Sequence, residues 1–64
     1  MNTKLIFERG LIQLWRSDYG RHSRPSFTVV SPSGADDFPA FDDPDNGRKA
    51  LDRVKELRAI AQGT

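Results

Sequence analysis

The hydrophobic positions in the last third of the chain repeat with the period of an α-helix. The repeating positions are Ala50, Val54, Leu57 and Ala61, with Leu51 and Ile60 on the two shoulders of the stripe. Spacing of three or four residues places these side chains on one face and predicts an amphipathic helix over about residues 44–61. The stripe is wide enough to cover one face of a small sheet, so we expect it to form part of the core.

The start of this helix is predicted by Asp43 and Pro44. Aspartate is typical of an N-cap, and proline at the first helical position loses no hydrogen bond there. Asp45 then lies in the first turn, where the helix dipole favours an anion. Gly47 conflicts with this start, because glycine inside a helix costs about 1 kcal/mol relative to alanine. A later start near Asn46 therefore stays open.

Before the helix, the apolar positions follow the period of β-strands. Residues 26–31 are β-branched and aromatic and form the clearest predicted strand. In the segment 4–16, alternation places one set of apolar residues on one face and a second set on the other; the sets are Leu5, Phe7, Leu11 and Trp15, and Ile6, Ile12 and Leu14. Gly10 either turns a hairpin, with strands near 4–8 and 11–17, or makes a bulge in one long strand. We favour the hairpin or a strongly bent strand.

The remaining segments predict loops and one short edge segment. Residues 17–25 are polar, and the sequence Pro32-Ser33-Gly34 is typical of a turn. Residues 38–41 are apolar and predict either a brief edge strand or an extended segment, because Pro39 excludes them from a central strand. The predicted fold class is α+β: a small antiparallel sheet of two to four short strands, followed by one C-terminal helix packed on one face. We expect a single domain over residues 1–64, with Trp15 anchoring its core.

The small size of the chain makes its stability marginal. A domain of 64 residues buries only about 60% of the surface that its unfolded chain exposes. The chain has no cysteine and one histidine, so we predict no disulfide, no structural zinc and no cofactor. Dimerisation, or binding to another protein, is then the expected source of further stability.

Hydropathy and cysteine content predict a cytoplasmic protein. The first seven residues contain an apolar run of three, too short for the core of a signal peptide. The other apolar runs are also far shorter than the roughly 20 residues of a membrane-spanning helix. The absence of cysteine fits a reducing compartment.

Charge is distributed in three blocks, although the net charge is only +1. Residues 1–30 carry five basic and two acidic side chains, residues 31–47 carry five aspartates and no base, and residues 48–64 again carry five basic and two acidic side chains. A nucleic-acid binder of uniformly basic character would not show this pattern. The blocks indicate a protein with surfaces of different charge.

Two polar segments contain the predicted partner-binding residues. These residues are Arg16, Tyr19, Arg21, His22, Arg24, Asp36, Asp37 and Asp42. Arginine offers a planar fork that binds carboxylates and phosphates and stacks on rings, although the same residues also suit a solvated loop. A calcium loop is excluded by spacing, since with Asp42 in first place Pro44 takes the third position and Arg53 the twelfth.

The sequence predicts a binding protein and no enzyme. It contains no glycine-rich phosphate loop, no metalloprotease motif and no nucleophile elbow. We therefore expect a module that docks on another protein as an inhibitor, adaptor or accessory subunit, of the kind that phages and plasmids encode, with a homodimer as one form. The alternative is a β-sheet nucleic-acid-binding domain with Arg9, Arg16, Arg21 and Arg24 on phosphates.

Overall fold

The computed structural model describes residues 2–20, 23–40 and 43–62. Its elements are β1 (Asn2–Arg9), β2 (Ile12–Asp18), β3 (Ser26–Ser31), β4 (Gly34–Phe38) and α1 (Asn46–Gln62). The strands form one antiparallel sheet in the order β1-β2-β3-β4. The predicted fold class, an antiparallel sheet followed by one packed C-terminal helix, is confirmed. In the described part of the chain, no helix has the length and apolar character needed to cross a membrane.

Gly10 makes the tight turn between β1 and β2. Arg9 pairs with Ile12, which leaves Gly10 and Leu11 as the two turn residues. Gly10 has a φ of 60°, whereas Leu11 does not have a positive φ. A positive φ at the first central residue alone is typical of a type II′ turn, which glycine adopts without strain. Of the two predicted alternatives, the structure has the hairpin.

A bulge at Ile6 decides which residues of β1 face the helix. The pairing register shifts between Leu5 and Phe7, so Leu5 pairs with Trp15 while Phe7 pairs with Leu14. Because the bulge adds one residue, Leu5 and Phe7 lie on opposite faces of the sheet. Leu5 and Trp15 share a face, as alternation predicts, whereas Phe7 lies on the opposite face with Ile12 and Leu14 and corrects the prediction.

The edge strand β4 lies earlier in the chain than predicted. A two-residue turn follows β3, with Ser31 paired to Gly34, so the chain returns along β3 at once. Pro39 comes directly after the last residue of β4 and has no N–H to continue the ladder. The brief edge strand predicted at residues 38–41 is therefore corrected in part: Phe38 ends β4, Pro39 and Ala40 are not in a strand, and Phe41 lies outside the described residues.

The core lies between one face of the sheet and α1. Its buried residues are Ile12, Leu14, Val29, Ala50, Val54 and Leu57, with Phe7, Phe27 and Phe38 packed against them. Leu14 and Val29 pair across β2 and β3, and their exposures are 1% and 0%. They are the largest fully buried side chains of the described residues, and the burial of each contributes about 1.5–3 kcal/mol to the fold.

Helix α1 lies over β2, β3 and β4. Its contact with β1 is made by Arg58, whose guanidinium carbon lies 5.9 Å from the ring centroid of Phe7. Three residues of the predicted stripe, Ala50, Val54 and Leu57, are buried, whereas the fourth, Ala61, is exposed. The shoulder residues Leu51 and Ile60 are also exposed.

Asn46 fastens the first turn of α1 to the sheet. Its Nδ2 donates hydrogen bonds of 2.9 Å to the carbonyl oxygens of Pro25 and Phe38. Asn46 is 5% exposed and is the buried polar residue of the described chain. Both amide hydrogens are used, and the two carbonyls gain a partner in a place where water is largely excluded.

The helix begins at Asn46, the later of the two predicted starts. The carbonyl of Asp45 accepts the first helical hydrogen bond, from the N–H of Lys49 at 3.0 Å. Asp43 is therefore not the N-cap, which corrects the earlier predicted start. Its Oδ1 accepts the N–H of Asp45 at 2.9 Å and forms an Asx turn before the helix.

Gly47 lets the first turn approach the sheet closely. A Cβ atom at this position would lie 3.2 Å from Cε2 of Phe27. Glycine lowers the helix propensity at this position. Because it has no side chain, however, the helix backbone packs closely against the aromatic ring of Phe27.

The two hydrogen bonds that Asn46 donates to the carbonyls of Pro25 and Phe38, which we call the Asn46 clamp, predict a specific loss of stability when they are removed. In Asn46→Ala the two carbonyls lose their partner, so the free energy of unfolding should fall by about 1–3 kcal/mol. Urea denaturation measures this change. Asn2→Ala is the matched control, because Asn2 is exposed at the start of β1, and it should change stability by less than about 0.5 kcal/mol. Equal effects of the two variants would contradict the clamp.

Asp43 predicts a pH dependence of stability. The hydrogen bond from Lys49, and then that from the N–H of Asp45, lower the pKa of Asp43 below its ordinary value. Its stabilising contribution is present above the unfolded-state pKa of about 3.9 and is lost as pH falls through the lower folded-state pKa. Below about pH 4 the melting temperature of the natural chain should therefore fall more steeply than that of Asp43→Asn.

Asp45→Asn is the control for this measurement, since the Asp45 side chain makes no ion pair within the described ranges. Below about pH 4 the melting temperature of Asp45→Asn should fall as steeply as that of the natural chain. Parallel curves for the natural chain and Asp43→Asn would contradict a role for the Asp43 charge.

Candidate functional site

The face of the sheet opposite α1 is covered by none of the described strands or helices, and we call it the open face. The strand register places three cross-strand rows on it. The rows are Glu8, Gln13, Val30 and Ala35; Leu5, Trp15, Thr28 and Asp37; and Thr3, Ser17 and Ser26. The first two rows combine apolar and acidic side chains, whereas the third row is entirely hydroxylic.

Trp15 lies on β2 at the centre of the open face. Its ring is half-buried, and Nε1 donates a hydrogen bond of 3.1 Å to Oε1 of Gln13. Nε2 of Gln13 in turn donates to Oε2 of Glu8 at 2.7 Å. These two bonds orient the indole before any partner arrives. Leu5, which pairs with Trp15 from β1, is 40% exposed.

The expectation that Trp15 anchors the core is wrong. Trp15 pairs with Leu5 and Thr28 on the open face, whereas the neighbouring residue Leu14 faces α1. Adjacent residues of a strand point to opposite faces, so Leu14 and Trp15 cannot both be core residues. The smaller side chain is the one that packs beneath the helix.

The charged side chains of the open face are acidic. Glu8 stands at one corner, and Asp37 lies on the edge strand β4, where its Oδ1 accepts the hydroxyl of Thr28 at 2.9 Å. In the paired strands, the register places the basic residues on the helix-facing side; they are Lys4, Arg9 and Arg16. The open face therefore carries two carboxylates, those of Glu8 and Asp37, around an apolar and aromatic centre.

The predicted acidic pair Asp36 and Asp37 is divided between the two faces. Asp36 faces α1, where Nε of Arg53 donates to its Oδ2 at 3.0 Å. This hydrogen bond raises the pKa of Arg53. Arg53 also donates to Glu56 at 2.8 Å, so Asp36 has a structural role between β4 and the helix. Asp37 alone remains exposed on the open face, and Asp42 lies outside the described residues.

The predicted arginine-rich segment is only partly described. Arg16 is engaged with Asp18, with Nε 3.1 Å from Oδ1. Arg21 and His22 lie outside the described residues. Tyr19 and Arg24 are exposed and lie together along a groove of about 690 Å³. The groove is lined by Tyr19, Ser23, Arg24, Ser26, Pro39 and Ala40, and we call it the Arg24 groove.

Among the described residues, no group of three or more histidine, cysteine or carboxylate side chains comes together to form a metal-binding cluster. The open face presents a hydrogen-bonded indole and two carboxylates, and the Arg24 groove presents one exposed guanidinium.

Comparisons of the chain with protein families, with curated proteins and with solved structures give no match. The function of the open face is therefore inferred from its own geometry and charge.

The assignment of the two faces predicts different roles for neighbouring valines of β3. Val29→Ala removes two methyl groups from the core and should lower the free energy of unfolding by about 2 kcal/mol. Val30→Ala, on the open face, should cost less than half as much. Both changes remove the same two methyl groups from neighbouring positions of β3, so chemical denaturation compares the packing of the two faces. A larger loss for Val30→Ala would reverse the assignment of the faces.

Proposed function

We propose that the chain is a non-enzymatic protein-binding module that docks on its partner through the open face. The observation that carries this proposal is that α1 covers one face only and leaves Trp15 at the centre of the other. A hydrogen-bonded aromatic residue of this kind resembles the anchors of protein interfaces, which are rigid and fill pockets on the partner.

The composition of the open face supports an interface. Leu5, Trp15 and Val30 supply apolar area, and the hydroxyls and carboxylates around them supply a polar rim. Protein interfaces have this arrangement of an apolar centre inside a polar border. A domain of 64 residues also gains stability from a bound partner, because binding to the folded state alone shifts the folding equilibrium.

The charge of the open face defines the chemistry of the partner. Glu8 and Asp37 favour a partner with an apolar pocket for the indole and basic side chains beside it. A second copy stacked on the same face would bring like charges together. A nucleic-acid backbone would also be repelled, which favours a protein partner over the alternative of a β-sheet nucleic-acid binder.

Such a module would act by covering a functional surface of its partner, as an inhibitor, adaptor or accessory subunit. Its size and the cysteine-free sequence fit a cytoplasmic product of the kind that phages and plasmids encode.

Affinity purification from the source cell with three forms of the chain tests this proposal. The natural chain should recover a stoichiometric complex. Trp15→Thr should weaken its affinity about 30-fold or more, as expected for the loss of an interface anchor worth about 2 kcal/mol. Leu51→Thr is the matched control, since Leu51 is 51% exposed on α1, and it should bind like the natural chain.

Charge reversal supplies a second arm of the same experiment. Glu8→Lys combined with Asp37→Lys should abolish the complex, because the basic partner surface would then be repelled. A complex that survives both Trp15→Thr and this double variant would contradict docking through the open face. If a phosphate column retained the natural chain more strongly than the partner protein does, the nucleic-acid alternative would be favoured instead.

A further inference from the structure

The Arg24 groove lies beside the open face and has a different chemistry. Pro39, Ala40 and the ring of Tyr19 contribute apolar walls, and Ser23 and Ser26 contribute hydroxyls. Ser26 is the residue that the two surfaces share, since the register places it in the hydroxyl row of the open face. The groove is formed where the start of β3 passes the segment that follows β4.

Arg24 supplies the charge of this groove. Its guanidinium makes no ion pair with any carboxylate of the described residues, whereas Arg16 and Arg53 are engaged with Asp18 and Asp36. Arg24 is also exposed, so its fork is accessible from solvent. An exposed arginine that has no ion-pair partner among the described residues, at the edge of a partly apolar groove, is suited to an external anion.

We propose that the Arg24 groove is a binding site for a carboxylate carried on an apolar stem. The guanidinium would hold both carboxylate oxygens, the hydroxyls of Ser23 and Ser26 would donate to their remaining lone pairs, and the apolar walls would cover the stem. One guanidinium balances one carboxylate charge. Phosphate, which carries more than one negative charge at neutral pH, would be only partly neutralised.

The carboxylate can come from a glutamate side chain of a polypeptide or from a free small acid. Both sources present the same group on a short apolar stem, and titrations of the full-length chain distinguish them. Four probes are used: the capped peptide acetyl-Ala-Glu-Ala-amide, butyrate, the neutral peptide acetyl-Ala-Gln-Ala-amide and inorganic phosphate. Backbone amide chemical shifts at Tyr19, Ser23, Arg24 and Ser26 report binding.

The two carboxylate probes should produce saturable shifts at these positions with a Kd on the order of millimolar. Tighter binding of the glutamate peptide assigns the site to a polypeptide, and tighter binding of butyrate assigns it to a free acid. The neutral peptide should cause no localised shift. Binding should weaken as salt is added, because the ion pair is partly exposed.

Variants connect these shifts to the guanidinium. Arg24→Gln should weaken carboxylate binding about tenfold, the usual effect of losing a charge-assisted hydrogen-bonded pair. The affinity of Arg24→Lys for the carboxylate should lie between those of the natural chain and Arg24→Gln, because lysine keeps the charge but lacks the planar fork of arginine. Arg48→Gln is the matched control on α1, where the exposed Arg48 does not line the groove.

Three results would overturn the site: no saturable shift up to about 50 mM probe, equal binding of the glutamate and glutamine peptides, or phosphate binding that exceeds carboxylate binding. Unchanged affinity in Arg24→Gln would overturn it as well. The titration needs no partner protein, so failure of docking through Trp15 and failure of the Arg24 groove are separate outcomes.

Discussion

The side-chain amide of Asn46 joins the start of the helix to the sheet, and the arrangement of both faces depends on this contact. It donates to carbonyls that precede β3 and end β4, at the same end of the sheet. The first turn is thereby held against Phe27, where Gly47 leaves room for the ring. From that point α1 runs over β2, β3 and β4, and Ala50 permits its close approach to the core.

A single helix held in this way can cover one face only. The core is then built from Leu14 and Val29 beneath the helix, while their neighbours Trp15 and Val30 lie on the other side. The largest apolar side chain is consequently retained at the surface, oriented by Gln13 and bordered by carboxylates. We propose that a protein partner covers this half-buried aromatic area.

The sequence predicts the elements better than it predicts their faces. The helix stripe and the strand 26–31 follow from periodicity alone, because packing there agrees with local propensity. The bulge at Ile6 has no local signal, and one extra residue is enough to exchange faces along β1. The face of Trp15 is decided by pairing between strands, and the division of Asp36 from Asp37 follows from a strand placed where a loop is predicted.

Acrylamide quenching of the intrinsic fluorescence tests the position of Trp15 most directly. The chain contains one tryptophan, so the signal has a single source. In the folded protein the indole should be quenched readily by acrylamide, and urea unfolding should increase the quenching constant only modestly. A native indole that is shielded from the quencher and becomes accessible only on unfolding would place Trp15 in the core and contradict the open face.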